Sequence, residues 1–457
     1  MQNVATRILA LPHDKRALLL QKLPPLSFSQ QRLWELEGSA GGVANVTVLP
    51  VRLSGPLNRE ALAVSLTELA RRHEVLRTIF PSLEGLPVPV VLPPAQVPLP
   101  VLDLSRHPLA EQEVKELIAQ AMQERFDLER GPLWRTMLLS LGPEEQIVLL
   151  SVHQMIFDGY SIGVLLREVG QLYEGYSLPD LPAQYGDYAR WQRKLLSGEV
   201  LERQVDYWRA QLRGVPPLPE LATDFPRPPS WQTFSAASLP ILCGASASLA
   251  IRNLCMREGV TLFMAGVAVF AAFLHARTCL RDFIVGVPLA GRSLAATEAM
   301  IGSFVNIILL RIKLSENMRG TDLLAQVRAT TLAAYDHQEL PFARLLEELY
   351  PGEEYDSYGV RGGAPLFRVV FDFKNTSAST ALALRDLKIS LVEMEDKMTG
   401  CDLYVKLWEE QQLVQGSVLY NRGLFREETA VQMAAQYREI LERLAAHPSL
   451  RLPELVA

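Results

Sequence analysis

Short apolar runs alternate with stretches of helix-spaced apolar residues, and this pattern predicts a fold that mixes helices and strands. Short continuous apolar segments are typical of buried strands, whereas apolar residues three and four positions apart form one face of a helix. The strand-like runs are 147–152 (IVLLSV), 283–287 (FIVGV), 307–310 (IILL) and 367–373 (FRVVFDF). One helix is predicted after Asn58, a suitable cap, with Leu62, Leu66 and Leu69 on one face. A C-terminal helix is predicted from the spacing of Met433, Tyr437, Ile440, Leu441 and Leu444.

The N-terminal stretch and the longest apolar run lack the patterns of membrane segments. Residues 1–23 form an amphipathic pattern interrupted near Pro12, without the features of a signal peptide. The longest apolar run, Leu262 to Leu274, is shorter than the about 20 residues that a membrane span needs. We therefore expect a buried helix at 262–274, no membrane partner and a cytoplasmic protein.

Proline clusters divide the chain into predicted domains. Prolines are concentrated at 24–25, 87–100 and 216–229, and proline-rich segments are extended and form few regular hydrogen bonds. We predict a linker helix over 1–23, a first lobe over 24–215 and a second lobe over 216–457. Both lobes contain predicted strands and helices, which indicates an α/β fold.

Composition disfavours several classes of function. The 457 residues are 49% hydrophobic and 21% charged, with a net charge of −6 and no basic block, so nucleic acid is not an expected partner. The G-x-G-x-x-G and G-x-x-x-x-G-K-[ST] phosphate loops are absent, which disfavours ATP and NAD chemistry. The scattered cysteines predict buried free thiols and no metal site: Cys243, Cys255, Cys279 and Cys401.

The segment with the most chemical content is 151–173, SVHQMIFDGYSIGVLLREVGQLY. An apolar strand ends near Val152, polar and small residues follow, and a helix begins for which Ser161 is a candidate N-cap. A loop at a strand end can present side chains from a rigid scaffold. The residues alone leave other interpretations open: His153 as a structural histidine, Asp-Gly as a turn and Gln154 as a surface amide.

The heptapeptide HQMIFDG at 153–159 resembles the H-H-x-x-x-D-G motif of condensation domains of nonribosomal peptide synthetases, a family related to chloramphenicol acetyltransferase. Further segments resemble the other family motifs in the family's order. They are SFSQQRLWEL (27–36), RHEVLRTIF (72–80), YGDYARW (185–191), IGSFVNIILLR (301–311), HQELPF (337–342) and the looser RGGAPLF (361–367).

The resemblance implies a fold and a reaction. The expected fold has two acetyltransferase-like lobes, each an open sheet covered by helices, arranged as a V-shaped pseudo-dimer with an active-site tunnel between them. An upstream carrier protein delivers an acyl or peptidyl thioester, and a downstream carrier delivers an aminoacyl acceptor whose amine attacks it. No cofactor is intrinsic to the family, because the phosphopantetheine arms belong to the carriers. Adjacent synthetase domains are further expected partners, and the excised domain is expected to be a monomer.

Residue roles also follow from the resemblance. The family's second motif histidine orients the acceptor amine or takes its proton, and Gln154 stands at that position. A glutamine can position an amine but cannot accept a proton near neutral pH, so we predict a weakened catalyst. The remaining expectations are a structural role for His153, an ion pair of Asp158 with Arg292 supporting the site, backbone space for substrate at Gly159, and tunnel positions at Ser303 and Asn306. Trp34, Arg77 and Trp191 are expected to pack or anchor loops.

Several alternatives stay open at this stage. The domain is either an impaired catalyst or an inactive one that only binds carriers and substrates, and Gln154 is either natural or introduced. A cyclisation domain would have D-x-x-x-x-D in the motif, and an epimerisation domain would have an E-G-H-G-R-like segment where this chain has PLAGR (288–292). A freestanding CoA-dependent acyltransferase is a further alternative, which the length and motif order disfavour.

Overall fold

The chain forms two compact units. The structure, a computed structural model, describes Ile8 and residues 10–40, 45–216, 221–227, 235–352, 366–374, 383–384, 386–392 and 400–457. The first unit consists of the described residues of 1–197 together with those of 290–305 and 378–393. The second consists of those of 198–289, 306–377 and 394–457. Two later segments of the chain therefore return to the first unit.

The first unit contains a six-stranded sheet in the order β13-β14-β1-β8-β7-β6. Strand β8 is central, pairing antiparallel with β1 on one side and β7 on the other. The strands of this unit are β1 (Val46–Ser54), β2 (Thr78–Ile79), β3 (Ser82–Leu83), β4 (Leu86–Pro87), β5 (Val90–Val91), β6 (Val101–Asp103), β7 (Trp134–Gly142), β8 (Glu145–His153), β13 (Ala383–Leu384) and β14 (Leu387–Leu391). Its helices are α1 (His13–Lys22), α2 (Phe28–Ala40), α3 (Arg59–Arg72), α4 (Ala110–Gln123), α5 (Gly159–Tyr173) and α6 (Tyr185–Leu195).

The second unit contains another six-stranded sheet, in the order β11-β10-β12-β15-β16-β9. Strand β12 lies between β10 and β15 and runs parallel to both. The strands are β9 (Ala236–Leu242), β10 (Asp282–Leu289), β11 (Asn306–Lys313), β12 (Val369–Lys374), β15 (Leu403–Glu410) and β16 (Leu413–Asn421). The helices are α7 (Gly198–Leu212), α8 (Ala245–Glu258), α9 (Leu262–Thr278), α10 (Gly320–Asp336), α11 (Phe342–Leu349), α12 (Glu427–Ala446) and α13 (Leu452–Val456).

The predicted mixed fold with open sheets is confirmed. The four apolar runs correspond to β8, β10, β11 and β12, and the helix after Asn58 is α3, where the Asn58 side chain accepts a hydrogen bond from Ala61 N–H at 3.0 Å. The apolar residues of α12 are buried as their spacing predicts. The apolar run at 262–274 lies within α9, which is buried on all sides along most of its length. No single helix among the described residues is long and apolar enough to cross a membrane.

The compact units divide after Ser197, and the first unit also includes the segments 290–305 and 378–393. The lobe boundary between 215 and 216 stays a prediction. The predicted burial of the cysteines is wrong for Cys279, which is exposed, because it lies just after the end of α9 in a left-handed conformation. Residues 361–365 of the last motif lie outside the described residues.

A buried charged cluster joins α3 to α5 in the first unit. The side chains of Arg72, His73 and Glu168 are 9%, 1% and 5% exposed. Glu168 Oε2 lies 2.9 Å from Arg72 Nε and 2.7 Å from His73 Nε2. Burial raises the pKa of Glu168, but its hydrogen bonds with His73 and Arg72 outweigh that effect, so the pKa is lowered from 4.5. Glu168 is therefore a buried carboxylate stabilised by its partners.

We predict that Glu168→Gln destabilises the protein by about 3–5 kcal/mol at pH 7, because it leaves Arg72 buried without its carboxylate. The folded pKa lies below the ordinary value of 4.5, so the contribution of Glu168 is complete above that value and is lost as pH falls through the folded pKa. Urea unfolding of both proteins between pH 7 and pH 3 should therefore give a difference that shrinks towards acid.

Glu68→Gln is the matched control. Glu68 also pairs with an arginine, Arg71, but their side chains are 38% and 54% exposed, and exposed pairs contribute little. A Glu168→Gln loss no larger than that of Glu68→Gln, or a difference independent of pH, would contradict the prediction.

Candidate active site

The loop after β8 is fixed by its backbone. His153 pairs with Val46 in the β1 register, and its N–H donates to Leu133 O at 2.9 Å. The N–H of Gln154 donates to Asn45 O at 2.8 Å. Because these groups are peptide groups, the path of the loop does not depend on which side chain occupies position 154.

His153 is fully buried and holds the loop from within. Its Nδ1 accepts a hydrogen bond from Met155 N–H at 3.2 Å, which assigns the ring hydrogen to Nε2, 3.4 Å from Glu37 Oε2. Burial raises the pKa of Glu37, but its hydrogen bonds with His153 and Asn45 outweigh it and the pKa is lowered. Both ring nitrogens of His153 thus have partners within the protein, as a structural histidine requires.

Gln154, the second residue of the motif, is partly buried. Its carbonyl oxygen accepts a 3.4 Å hydrogen bond from Phe157 N–H. Its side-chain amide has no hydrogen-bond partner within the described part of the chain. In this respect Gln154 differs from His153, whose two ring nitrogens both have partners.

Asp158 is the carboxylate of the loop, and it accepts five hydrogen bonds. Its Oδ1 accepts from the Ser161 N–H at 2.8 Å and from the Ser161 hydroxyl at 2.7 Å. Its Oδ2 accepts from the Phe304 N–H at 3.0 Å. Arg292 adds two further bonds, Nη1 to Oδ2 at 2.8 Å and Nη2 to Oδ1 at 3.1 Å. The buried charge is thus paired in a bidentate geometry.

Arg292 has further contacts that hold its guanidinium group. Its Nη1 donates to Ala290 O at 3.1 Å. Its guanidinium carbon lies 4.3 Å from the ring centre of Tyr160 and 4.2 Å from that of Phe304. Stacking between two rings and pairing with a carboxylate fix both the plane and the position of a guanidinium. Arg292, the partner that the sequence predicts for Asp158, is therefore the arginine that pairs with it.

Ser161 is not the helix cap predicted from the sequence. Helix α5 begins at Gly159, and Asp158 caps it with its side chain. Ser161 is instead fully buried, and its hydroxyl accepts from the Gly302 N–H and from Arg292 Nη2, each at 3.1 Å. The prediction was wrong because Asp158 and Ser161 are both good capping residues, and the end of β8 decides between them.

Two glycines of this region have different surroundings. A β-carbon added at Gly159 meets no atom within 4 Å among the described residues, so the space beside it is open. Gly291 has a φ of +65°, and an added β-carbon would lie 1.9 Å from Phe304 O. Only glycine therefore permits the PLAGR segment to approach Phe304 in this way.

The segment 302–304 also binds the opening motif and the YGDYARW motif within the first unit. The Tyr185 hydroxyl donates to Ser303 O at 2.6 Å and lies 2.8 Å from the Ser27 hydroxyl. Burial raises the pKa of Tyr185 well above its ordinary value, so the phenol remains a donor. Gln30 Nε2 donates to Met155 O at 3.1 Å and thereby connects the opening motif to the loop.

The two predicted tunnel residues have internal partners. In the first unit, Ser303 is buried and its hydroxyl lies 2.9 Å from that of Ser29. In the second unit, Asn306 Nδ2 donates to Gln338 O and Leu340 O, both at 2.9 Å. These bonds use both donors of the Asn306 amide, as in the alternative of a core-turn asparagine. A role of either residue in lining a substrate path stays a prediction.

Comparison with known sequences identifies the family. The family model described as "Condensation domain" matches residues 20–457. The chain belongs to the condensation-domain family. Malpinin synthetase of Mortierella alpina is 38% identical over 89% of this chain and 5% of that protein. Linear gramicidin synthase of Brevibacillus parabrevis is, in one of its subunits, 37% identical over 93% of this chain and 8% of that protein. This condensation domain therefore spans less than a tenth of these relatives.

Solved structures share the fold. The X-domain from teicoplanin biosynthesis has a TM-score of 0.81 at 24% identity, covering 94% of this chain and 97% of that one. The condensation domain from the monacolin K polyketide synthase MokA has a TM-score of 0.81 at 22% identity, covering 94% and 99%. The condensation-domain fold predicted from the motifs is thus confirmed.

Three of the six other histidines of this condensation domain have partners away from the loop. His73 binds Glu168, His275 Nδ1 lies 2.9 Å from Leu280 O, and His337 stacks on Tyr207 at a centroid distance of 3.8 Å. None of these contacts involves the loop at 153–159. Within the described part of the chain, no group of three or more His, Cys, Asp or Glu residues has the arrangement of a metal site.

Sequence reasoning missed the contacts by which several residues position the loop. Glu37, Ser161, Tyr160 and Phe304 contact His153 or Arg292 directly. Glu37 lies immediately after the opening motif, and Phe304 lies within the IGSFVN segment. Their positions in the motifs were visible in the sequence, but the residues that they contact were not. A signal for Glu37 existed in its closeness to that motif, but no local pattern pairs it with residue 153.

We predict that Asp158→Asn lowers the free energy of unfolding by about 3–5 kcal/mol, because it leaves Arg292 buried without its counter-charge. The measurement is urea unfolding at pH 7. Asp187→Asn serves as control, since Asp187 pairs with Arg190 in α6 but both side chains are about half exposed. Equal effects of the two substitutions would refute the structural importance of the Asp158–Arg292 pair.

Proposed function

We propose that this condensation domain joins an acyl or peptidyl thioester to the amine of an aminoacyl thioester, each delivered by a carrier protein. The amine nitrogen attacks the thioester carbonyl carbon, a C–N bond forms and the C–S bond breaks. The proton lost by the amine ends on the departing thiolate. Binding two reactants in one geometry contributes much of the acceleration in such reactions.

The proposal gives Gln154 the role of orienting the acceptor amine. Its side-chain amide has no partner among the described residues, and its oxygen can accept a hydrogen bond from an amine. It cannot hold the proton that the amine loses, whereas a histidine with a pKa near about 6.5 can. The proposed domain is therefore a slow catalyst that retains positioning.

The surroundings of the loop support this division of roles. His153 has both ring nitrogens in contact with the protein, so it holds the loop and is not a replacement base. Asp158 and Arg292 fix the start of α5. Gly159 leaves open space beside that start, which we propose is filled by substrate.

The partners proposed are carrier proteins and the neighbouring domains of a synthetase. The relatives that support this are named synthetases or synthases and are much longer than this chain. Phosphopantetheine arms belong to such carriers, and the proposal assigns no cofactor to the condensation domain itself. The proposal rests on one observation: Gln154 occupies the second motif position, while His153 and Asp158 beside it have their hydrogen-bond partners.

A second candidate function is binding without catalysis, and the same Gln154 favours it because a proton acceptor is missing at that position. Related folds do bind proteins: one solved neighbour is a complex of an X-domain with OxyB from teicoplanin biosynthesis. Under this alternative the domain binds loaded carriers and forms no product.

We predict that Gln154→His raises the single-turnover rate of amide formation by about 10²–10⁴-fold, the usual contribution of a positioned base. Loaded donor and acceptor carriers are mixed with each protein, and the carrier-bound product is measured by intact mass. Gln154→Ala should lie below the wild type if the amide orients the amine. Gln112→His is the control, since Gln112 is exposed on α4.

The outcomes separate the two candidates. Product from the wild type and a large gain with histidine support the slow catalyst. Product from the histidine protein alone supports the binding function for the chain with Gln154. Equal rates for the wild type and Gln154→His would contradict the proton-acceptor account.

We further predict that Gly159→Val lowers the single-turnover rate at least tenfold while the unfolding midpoint stays within the error of measurement. A β-carbon there meets no atom of the described residues within 4 Å, so we expect the obstruction to fall on substrate. Gly142→Val is the matched control, because its β-carbon also meets open space. An unchanged rate would show that substrate does not use the space beside Gly159.

A further inference from the structure

The imidazole ring of His73 bridges two parts of the first unit that are far apart in the sequence. His73 directly follows α3, and its side chain is 1% exposed. Its Nε2 lies 2.7 Å from Glu168 Oε2 on α5, and its Nδ1 accepts a hydrogen bond from the Ile301 N–H at 3.4 Å. The ring therefore connects the buried charged cluster with the segment 301–304.

These two contacts assign the tautomer of His73. A backbone N–H can only donate, so Nδ1 is the acceptor and the ring hydrogen lies on Nε2, which donates to Glu168. Within the described residues, Nδ1 is the one acceptor that the N–H of the buried Ile301 has. A buried N–H without an acceptor is costly, so the position of Ile301 depends on this ring nitrogen.

The N–H groups that follow Ile301 bind the end of the motif loop. The Gly302 N–H donates to the Ser161 hydroxyl at 3.1 Å, and the Phe304 N–H donates to Asp158 Oδ2 at 3.0 Å. Ile301 and Gly302 are consecutive and their peptide groups are planar, so the orientation of the first N–H limits that of the second. Fixing the first N–H therefore helps to aim the others at the loop.

The backbone around His73 is itself held in place. The His73 N–H donates to Leu69 O at 3.0 Å. The side-chain amide of Gln184 donates to Arg72 O at 3.0 Å and accepts from the Glu74 N–H at 3.1 Å. The ring is thus mounted on a fixed turn, as a residue that supports a functional site from outside requires.

We infer that His73 is a positioning residue for the proposed reaction. It fixes the Ile301 N–H and thereby holds the segment 301–304, and that segment in turn holds Asp158 and Ser161. The loop ends at these contacts, so its geometry depends on a histidine that lies outside it. The inference rests on the proposed function, because the position of the loop affects a rate only if the loop takes part in the reaction.

Two substitutions separate the two contacts of the ring. In His73→Asn the amide oxygen is bonded to Cγ, as Nδ1 is, so it can accept from the Ile301 N–H, but the donor to Glu168 is lost. In His73→Gln the amide lies one bond further out, as Nε2 does, so it can donate to Glu168 while Ile301 loses its acceptor.

We predict that His73→Gln lowers the single-turnover rate at saturating acceptor carrier about 10- to 100-fold, the order of loss that a misplaced group causes. The half-saturating concentration of acceptor carrier should stay unchanged, since the binding contacts are kept. His73→Asn should stay within about threefold of the wild-type rate, because the Ile301 N–H keeps its acceptor. It should nevertheless be the less stable variant in urea, since hydrogen bonds to charged groups contribute more than neutral ones.

This order distinguishes positioning from a purely structural role, for which the less stable variant would also be the slower one. The matched control is His107→Gln, which should leave the rate unchanged. His107 Nδ1 also accepts from a backbone N–H, that of Leu109 at 3.3 Å, but His107 is exposed. If His73→Gln fails to fold by circular dichroism, His73→Asn decides, and a rate more than about tenfold below the wild type overturns the inference.

Hydrogen exchange followed by mass spectrometry gives a second readout that needs no product. Peptides that contain 301–304 and 153–159 should exchange at least about tenfold faster in His73→Gln than in the wild type, because local opening becomes easier. The same peptides should exchange at the wild-type rate in His73→Asn.

Fast exchange and slow amide formation in His73→Gln, with a near-wild-type His73→Asn, support the inference. Unchanged exchange in His73→Gln overturns it, as does fast exchange with an unchanged rate or an equal loss of rate in both variants. Absence of product from every protein, Gln154→His included, contradicts the proposed function itself. The exchange result then decides alone whether His73 holds the loop, so the two failures are distinct.

Discussion

The geometry of the candidate site depends on one buried carboxylate that has all its acceptor positions in use. Asp158 caps α5, accepts two hydrogen bonds from Ser161 and pairs with Arg292 and the Phe304 backbone. A buried charge is tolerable only with such complete pairing. The hydrogen bonds of Asp158 hold together the start of α5, the PLAGR segment and the segment 302–304. That pairing fixes the end of the 153–159 loop and the start of α5, and the side chain of Gln154 takes no part in it.

The path of the loop is therefore independent of the side chain at position 154. The loop path is set by peptide hydrogen bonds and by His153, which is bound on both ring nitrogens. Position 154 contributes its backbone to this arrangement and leaves its side chain available. The contacts of Asp158 and Arg292 and the positive φ of Gly291 hold the architecture of the loop, whereas a chemical role for Gln154 is a proposal.

Sequence predicted the local structure well and the partnerships poorly, for a physical reason. Apolar runs and helical spacing are local patterns, so β8, β10, α3 and α12 followed from neighbouring residues. The Asp158–Arg292 pair joins residues 134 positions apart, and only the family resemblance indicated it. The Tyr185 bonds with Ser27 and Ser303 have no local signature at all. The cap of α5 was misassigned because two capping residues stand three positions apart and the end of a strand decides between them.

The return of two late segments to the first unit has a consequence for the order of events during synthesis. Arg292 follows Asp158 by 134 residues, which at about 5–20 residues per second is a delay of roughly 7–27 s on the ribosome. Strand β14, which covers one edge of β1, is made later still. For that interval the nascent chain carries an unpaired aspartate and an open strand edge, the kind of surface on which chains misassociate. The first unit therefore cannot complete its fold until residues 290–305 and 378–393 have been synthesised.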